Sequence, residues 1–238
     1  MEKQQVMNST KQALIWDLPT RIFHWSLATC FFGAWITHEM EASGFWLHTI
    51  FGYSALVLVL WRLGWGYIGT RYALFRNFIA GPRSTLAYLR AEASDPSTIQ
   101  VGHSPTGGWA IIAMLALIGL QACSGLLNGG ELLMEGPWFH AVPGWAKDFA
   151  HEFHELNFNI LLGLVGLHLA AILFYAVKRK RNLLPAMITG YSKAGGDSQG
   201  VGSHRLLPAL LLLALAALIV WAIISLAPPP SADPMDMF

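Results

Sequence analysis

The chain has 238 residues, 54% of them hydrophobic and only 12% charged, with a formal net charge of +1. Soluble domains carry about 25% charged residues, so a soluble enzyme and a disordered tail are excluded, and the small net charge excludes a nucleic-acid binder. Cys30 and Cys123 sit far apart inside apolar runs and offer neither a disulfide framework nor a thiolate metal site, and no CxxCH is present to tether a haem. Ten Trp and thirteen Phe suit the aromatic belts of a membrane protein.

Five segments approach the roughly 20 apolar residues needed to cross about 30 Å of hydrocarbon. The first runs from about Ile22 to Thr37. Lys3, Lys11 and Arg21 precede it like a signal peptide, but the polar Thr37-His38-Glu39 that follows has no small-residue cleavage site, so an uncleaved helix is expected. The second is Phe45 to Ile68. After it, Gly81-Pro82-Arg83-Ser84 opens a short amphipathic stretch, Thr85 to Arg90, expected along the inner interface. The third segment is Trp109 to Leu127, followed by a Gly- and Pro-punctuated loop, Gly129 to Lys147, suited to capping helices or docking a partner. The fourth starts near Phe153 and ends at Val177. The fifth, Leu206 to Ala227, is almost unbroken Leu, Ala and Ile, and the Pro-rich tail beyond it is too polar to fold alone. All five are read as helices, which satisfy their own backbone in lipid.

Charge orients them. Lys3, Lys11, Arg21, Arg62, Arg71, Arg76, Arg83, Arg90, Lys178 to Arg181, Lys193 and Arg205 fall on one side, so 14 of the 15 basic residues oppose a lone Lys147. The positive-inside rule makes the rich side cytoplasmic. The N-terminus is therefore expected inside and the C-terminus outside. Glu39, Glu41, Glu131, Glu135, Asp148, Glu152, Glu155, Asp233 and Asp236 then face outward.

An ionisable group inside a span is costly and marks function by default, and this chain has nine His. Neutral imidazole is the usual axial ligand of haem iron in electron-transfer cytochromes. His154 and His168 are 14 residues apart, about 40° short of four full turns and about 21 Å along a helix, so both share one face near opposite leaflets. The plainer reading makes His154 an interfacial polar residue; spacing leaves both open. His24 lies level with His168 at the inner side, and His48 level with His154 at the outer side. His38, also 14 residues from His24, rivals His48 as the outer ligand, although it ends its helix beside Glu39. His103 reads as an interfacial capping residue, and His140, His151 and His204 as solvated ones. Gly52, Gly163 and Gly166 read as room for a porphyrin plane, against the commoner role of small residues in helix approach. Arg21, Arg62 and Arg71 suit haem propionates as well as they suit the charge rule. Met114, Met134 and Met187 are set aside as ligands because four placed His are available.

At this point the chain resembles a family. Trp16-Asp17-Leu18-Pro19-Thr20-Arg21-Ile22-Phe23-His24-Trp25 is similar to the opening signature of bacterial di-haem cytochromes b of the cytochrome b-561 type, which include the b-type cytochrome subunits of nickel–iron hydrogenases. His48-Thr49-Ile50-Phe51-Gly52-Tyr53, Trp61-Arg62-Leu63 and Gly69-Thr70-Arg71-Tyr72-Ala73 resemble its second helix and exit. His151-Glu152-Phe153-His154-Glu155 with Gly166-Leu167-His168 resembles its fourth, and Asn182 to Gly190 its cytoplasmic ending. The blocks run in order from Trp16 to Gly190.

The resemblance implies a four-helix haem-binding transmembrane bundle over residues 1–190. A cytoplasmic linker (191–203) and a fifth helix with an outer tail (204–238) depart from the pattern; that helix suits an oligomer or partner contact. The resemblance implies two haem b groups held by His24 and His168 on the inner side and by His48 and His154 on the outer side. It further implies electron transfer between membrane quinone and a periplasmic hydrogenase, dehydrogenase or cytochrome c, in a bacterial inner membrane. A stand-alone superoxide:quinone oxidoreductase is the alternative, disfavoured by the acidic outer face; a haem-free membrane anchor is the third.

Overall fold

The computed structural model describes residues 12–40, 43–94, 102–129, 135–193 and 200–229. Lys3, Lys11, Glu41, Glu131, Met134, Asp233 and Asp236 lie outside these residues. The chain order is β1 (Gln12–Leu14), α1 (Leu18–His38), α2 (Phe45–Ile68), α3 (Phe75–Phe78), α4 (Pro82–Ser94), α5 (Pro105–Leu127), α6 (Gly144–Val177), α7 (Leu184–Thr189), β2 (Tyr191–Lys193) and α8 (Leu206–Ser225), with a 3-10 turn at Phe139–Ala141. The protein is all-α apart from the β1–β2 ribbon.

Among the described residues, four helices are long and apolar enough to cross a membrane: α2, α5, α6 and α8. α1 has the length, 21 residues, but Thr20, Arg21, His24, Ser26, Thr29, Thr37 and His38 make it more polar than the other four. It is the N-terminal companion to four apolar spans.

Helix starts move outward from the apolar runs because capping chemistry, not hydropathy, sets them. α1 begins at Leu18, four residues before Ile22. Asp17 Oδ1 accepts the Thr20 N–H at 2.7 Å, as an N-cap carboxylate does, and the Leu18 N–H donates to His204 Nδ1 at 3.0 Å. α5 begins at Pro105, a residue suited to a first helical position, with Ser104 Oγ accepting the Gly107 N–H at 3.1 Å. α6 begins at Gly144, directly after Pro143. At 34 residues it is about 51 Å long, well beyond the hydrocarbon thickness, so its polar opening from Gly144 to Glu152 extends the span. The amphipathic stretch is likewise longer than Thr85 to Arg90, running as α4 over Pro82–Ser94.

The chain divides into two compact units. One comprises Met1–Trp25, Trp61–Leu115 and Leu164–Leu212; the other comprises Ser26–Leu60, Ala116–Gly163 and Leu213–Phe238. In the first, Phe23, Trp61 and Trp65 stack at 5.5 and 5.3 Å between ring centres, and Ile15 and Trp65 are fully buried. The β1–β2 ribbon pairs antiparallel with Ala13 opposite Ser192. Gly190, at φ 88°, ends α7 in the left-handed conformation that a side chain disfavours. Its carbonyl accepts the N–H groups of Ile15 and Trp16. Arg205 donates to the carbonyls of Ile68 at 2.6 Å and Gly69 at 3.1 Å, capping the C-terminus of α2, and the Trp61 indole donates to Ala209 O at 3.0 Å. In the second unit, Leu56, Leu126 and Val220 form the core of α2, α5 and α8. There the Trp138 indole donates to Ile223 O at 2.9 Å.

Candidate functional site

The second unit holds His48 and His154, from α2 and α6, with ring centres 6.2 Å apart. The first unit holds His24 and His168, from α1 and α6, with ring centres 6.5 Å apart. An imidazole nitrogen lies about 2.0 Å from a metal it ligates and about 1.1 Å from its own ring centre, so two imidazoles on opposite sides of one iron have centres about 6.2 Å apart. Both separations match that value, so each pair can hold one haem iron.

The hydrogen bonds around the outer pair select a tautomer. His48 Nδ1 lies 2.9 Å from Ala34 O; a carbonyl only accepts, so Nδ1 carries the proton. Ser124 Oγ donates its single proton to Gln121 O at 2.9 Å, so at 2.9 Å from His154 Nδ1 it accepts a proton from that ring. Both rings therefore keep the Nε2 lone pair free for a metal, the arrangement seen where an outer group orients a ligating His. Asn157, 1% exposed, donates to Leu117 O at 2.9 Å and Gln121 Oε1 at 2.6 Å. Gln121 Nε2 in turn donates to His154 O at 3.0 Å. Sequence reasoning passed over Gln121, Ser124 and Asn157. The available signal was their polarity inside apolar spans, with Asn157 one turn beyond His154.

Around the inner pair, His24 Nδ1 is buried with no partner among the described residues, as is Nε of Arg21 one turn earlier. Arg21 Nη1 donates to Ile188 O, and the Trp25 indole to Met187 O at 3.3 Å, so α7 closes over this part of α1. A Cβ added at Gly52, Gly163 or Gly166 would meet no described atom within 4 Å. These glycines stand beside open space rather than at helix contacts. Gly33 and Gly125 behave differently, with an added Cβ 2.6 Å from the Phe51 ring and 3.2 Å from His154 Cε1.

His38 is exposed, with its ring 5.9 Å from that of His48. His151 is exposed as expected and donates to Asn128 Oδ1 at 3.1 Å. His140 is not simply solvated: its Nε2 donates to Glu135 at 2.6 Å. His204 is not either, since it caps α1 through Leu18. The largest departure is His103. It is not an interfacial cap, a role Ser104 takes; its half-buried ring lies between Trp16 at 4.4 Å and Phe78 at 4.5 Å, with Nδ1 shut off from solvent. Burial, and then the Arg62 guanidinium, lower its pKa to about 3, so it is neutral. Arg62 itself is 2% exposed, lies over the Phe75 ring at 4.8 Å and has an Nη1 with no partner among the described residues. Asp17, 1% exposed, accepts from the Thr70 hydroxyl. Arg62 is thus a buried cation in a polar cluster and not only an inner-face charge.

Spans of this kind, with imidazoles facing one another, define a multi-pass haem-binding membrane protein. Residues 15–190 match the prokaryotic cytochrome b561 family, well over half of the chain, and the chain belongs to that family. No curated protein and no solved structure matches it. Membership makes it a membrane b-type cytochrome of electron transport, in a family that typically binds haem b.

Proposed function

We propose that this protein carries two haem b groups and passes electrons between membrane quinone and a periplasmic redox partner. His24 and His168 hold the inner haem, and His48 and His154 the outer one. The observation that carries this reading is the pair of ring separations, 6.5 and 6.2 Å, each fitting one iron between two imidazoles. A bound haem supplies reversible one-electron chemistry at iron. The residues' task is to ligate, to shield from water and to set the potential. Haem held by a His from each of two helices would be suited to electron transfer.

The 14-to-1 split of basic residues supports a cytoplasmic N-terminus and a periplasmic C-terminus, with α1 as a fifth span. Residues 1–190 then form the haem domain, 191–203 a cytoplasmic linker, and 204–238 an added helix and tail. Quinone meets the inner haem near His24, His168 and Arg21. The partner, a hydrogenase, dehydrogenase or cytochrome c, docks at the acidic outer side, where Glu39, Glu135, Asp148, Glu152 and Glu155 steer a basic surface. The deciding experiment is the absorption spectrum of the purified protein with its haem-to-chain ratio. Two haems per chain with paired low-spin bands are expected, and a colourless protein overturns the reading.

A further inference from the structure

The first unit contains a hydrogen-bonded cluster that the electron path does not use. Tyr175, on α6, donates its hydroxyl proton to Glu92 Oε1 at 2.5 Å. Tyr88 lies one turn before Glu92 on α4, on the same helix face. Two chain segments 83 positions apart thus meet at one carboxylate. Tyr175 lies seven residues after His168 on α6, two turns less about 20°, so it shares the face of that imidazole about 10.5 Å further along. This is the end of α6 that leads into Lys178-Arg179-Lys180-Arg181.

We propose that Tyr175, Glu92 and Tyr88 form a proton relay serving quinone at the inner haem. The proposal rests on the reading that quinone reacts there, and adds the residues that move its protons. Oxidation of a quinol to a quinone breaks two O–H bonds and releases two protons and two electrons. The electrons would go to a haem held by His24 and His168. Each proton passes to the Tyr175 phenol oxygen as the Tyr175 proton moves to Glu92 Oε1. It then leaves through the Glu92 carboxyl at the basic end of α6, which regenerates the carboxylate for the second transfer. Quinone reduction runs the same steps backwards. The resting arrangement, a phenol already donating to a carboxylate, is the one a hand-over needs, because the acceptor is in place before the proton arrives. Among the described residues, Tyr88 on its own helix and Tyr175 on α6 are titratable groups that face Glu92. Burial and Glu92 raise the Tyr88 pKa, so Tyr88 stays a proton donor to the cluster at neutral pH.

The test is stopped-flow reduction of the haems by decylubiquinol, followed at the reduced-haem band. Wild type, Glu92→Gln, Tyr175→Phe and Tyr88→Phe are compared across pH and in heavy water. Rates are normalised to haem reducible by dithionite, which removes any effect of poorer folding or haem loading. Expected for Glu92→Gln and Tyr175→Phe is a rate at least tenfold lower, with a pH profile that differs from wild type. Glu92→Asp should restore part of the rate. A merely structural tie between α4 and α6 would lower haem loading without altering the normalised rate, profile or isotope effect, and that result overturns the relay. Variants that match wild type in all three readings overturn it too. If decylubiquinol fails to reduce wild-type haem that dithionite reduces, the quinone reading itself falls, and the relay with it.

Discussion

Replacing Ser124 with Ala should weaken the outer haem and leave the inner one alone. Ser124 is 8% exposed and accepts the Nδ1 proton of His154 at 2.9 Å, so little water can take its place. Removing it leaves a buried N–H unpartnered, at about 1–3 kcal/mol. Loss of an outer group that orients a metal-ligating His typically costs 10–100-fold in affinity, which is about 1.4–2.7 kcal/mol. The two estimates agree. The direction of the potential also follows: a His that donates through Nδ1 is a more basic ligand and favours ferric iron, so losing the acceptor raises the outer potential. His48 keeps its bond to the Ala34 carbonyl and is unaffected. Redox titration of the two haem waves, with haem per chain measured on dilution, reads both effects. One wave should move upward, one haem should be lost first, and Ser124→Thr should restore both. Two unmoved waves with full haem retention would refute the argument, as would movement of the wave that His168→Ala abolishes.

His48→Ala should lose one haem and spare the other, whereas His38→Ala keeps both; the opposite pattern, read from haem per chain, removes His48 from the outer pair. A reporter active only outside the cytoplasm should work when fused after Phe238, and activity of a cytoplasm-only reporter there would refute the five-span topology. His103 has its pKa lowered from 6.5 to about 3, so below pH 6.5 the unfolded chain binds a proton that the folded chain does not. Its contribution to stability is full above pH 6.5 and shrinks by up to about 1.4 kcal/mol per unit as pH falls toward 3. The melting temperature should therefore drop more between pH 7.5 and 5 in wild type than in His103→Phe, and equal drops would contradict this. Neutralising Glu131, Glu135 and Asp148 together should slow partner-dependent haem reduction and flatten its salt dependence, and an unchanged rate and slope would exclude docking on these acids.

Much of this was legible in the sequence because helical rise is fixed. Once the apolar runs were placed, the expected pairing of His24 with His168 and of His48 with His154 followed from counting helical rise. Helix starts were less legible: Asp17 and Ser104 act as caps several residues before hydropathy rises. The polar opening of α6 read as loop, since its helical backbone follows Pro143 rather than any apolar stripe. Contacts between distant segments were not legible at all. Nothing near His103 announces that Trp16 and Phe78 enclose it, and nothing local joins Glu92 to Tyr175, 83 positions away. Ser104-Pro105 beside His103 suggested an interface because that reading used only sequence neighbours. The β1–β2 ribbon escaped notice for the same reason, being three residues long on each side.

The two indole bonds that reach α8 bear on how this helix can change over evolutionary time. Trp61 and Trp138 bind the carbonyls of Ala209 and Ile223, which are backbone atoms and survive substitution of the side chains they belong to. The instructions for docking α8 are therefore written in α2 and in the loop before α6, outside the helix that is docked. Drift among Leu, Ala and Ile within α8 leaves both acceptors in place, as long as the residues stay apolar and helical. The exposed positions of a segment attached in this way can drift while the rest of the chain continues to recognise it, whereas Val220, packed with Leu56 and Leu126, is held to its size. The low-complexity run from Leu206 to Ser225 is the composition such freedom would produce.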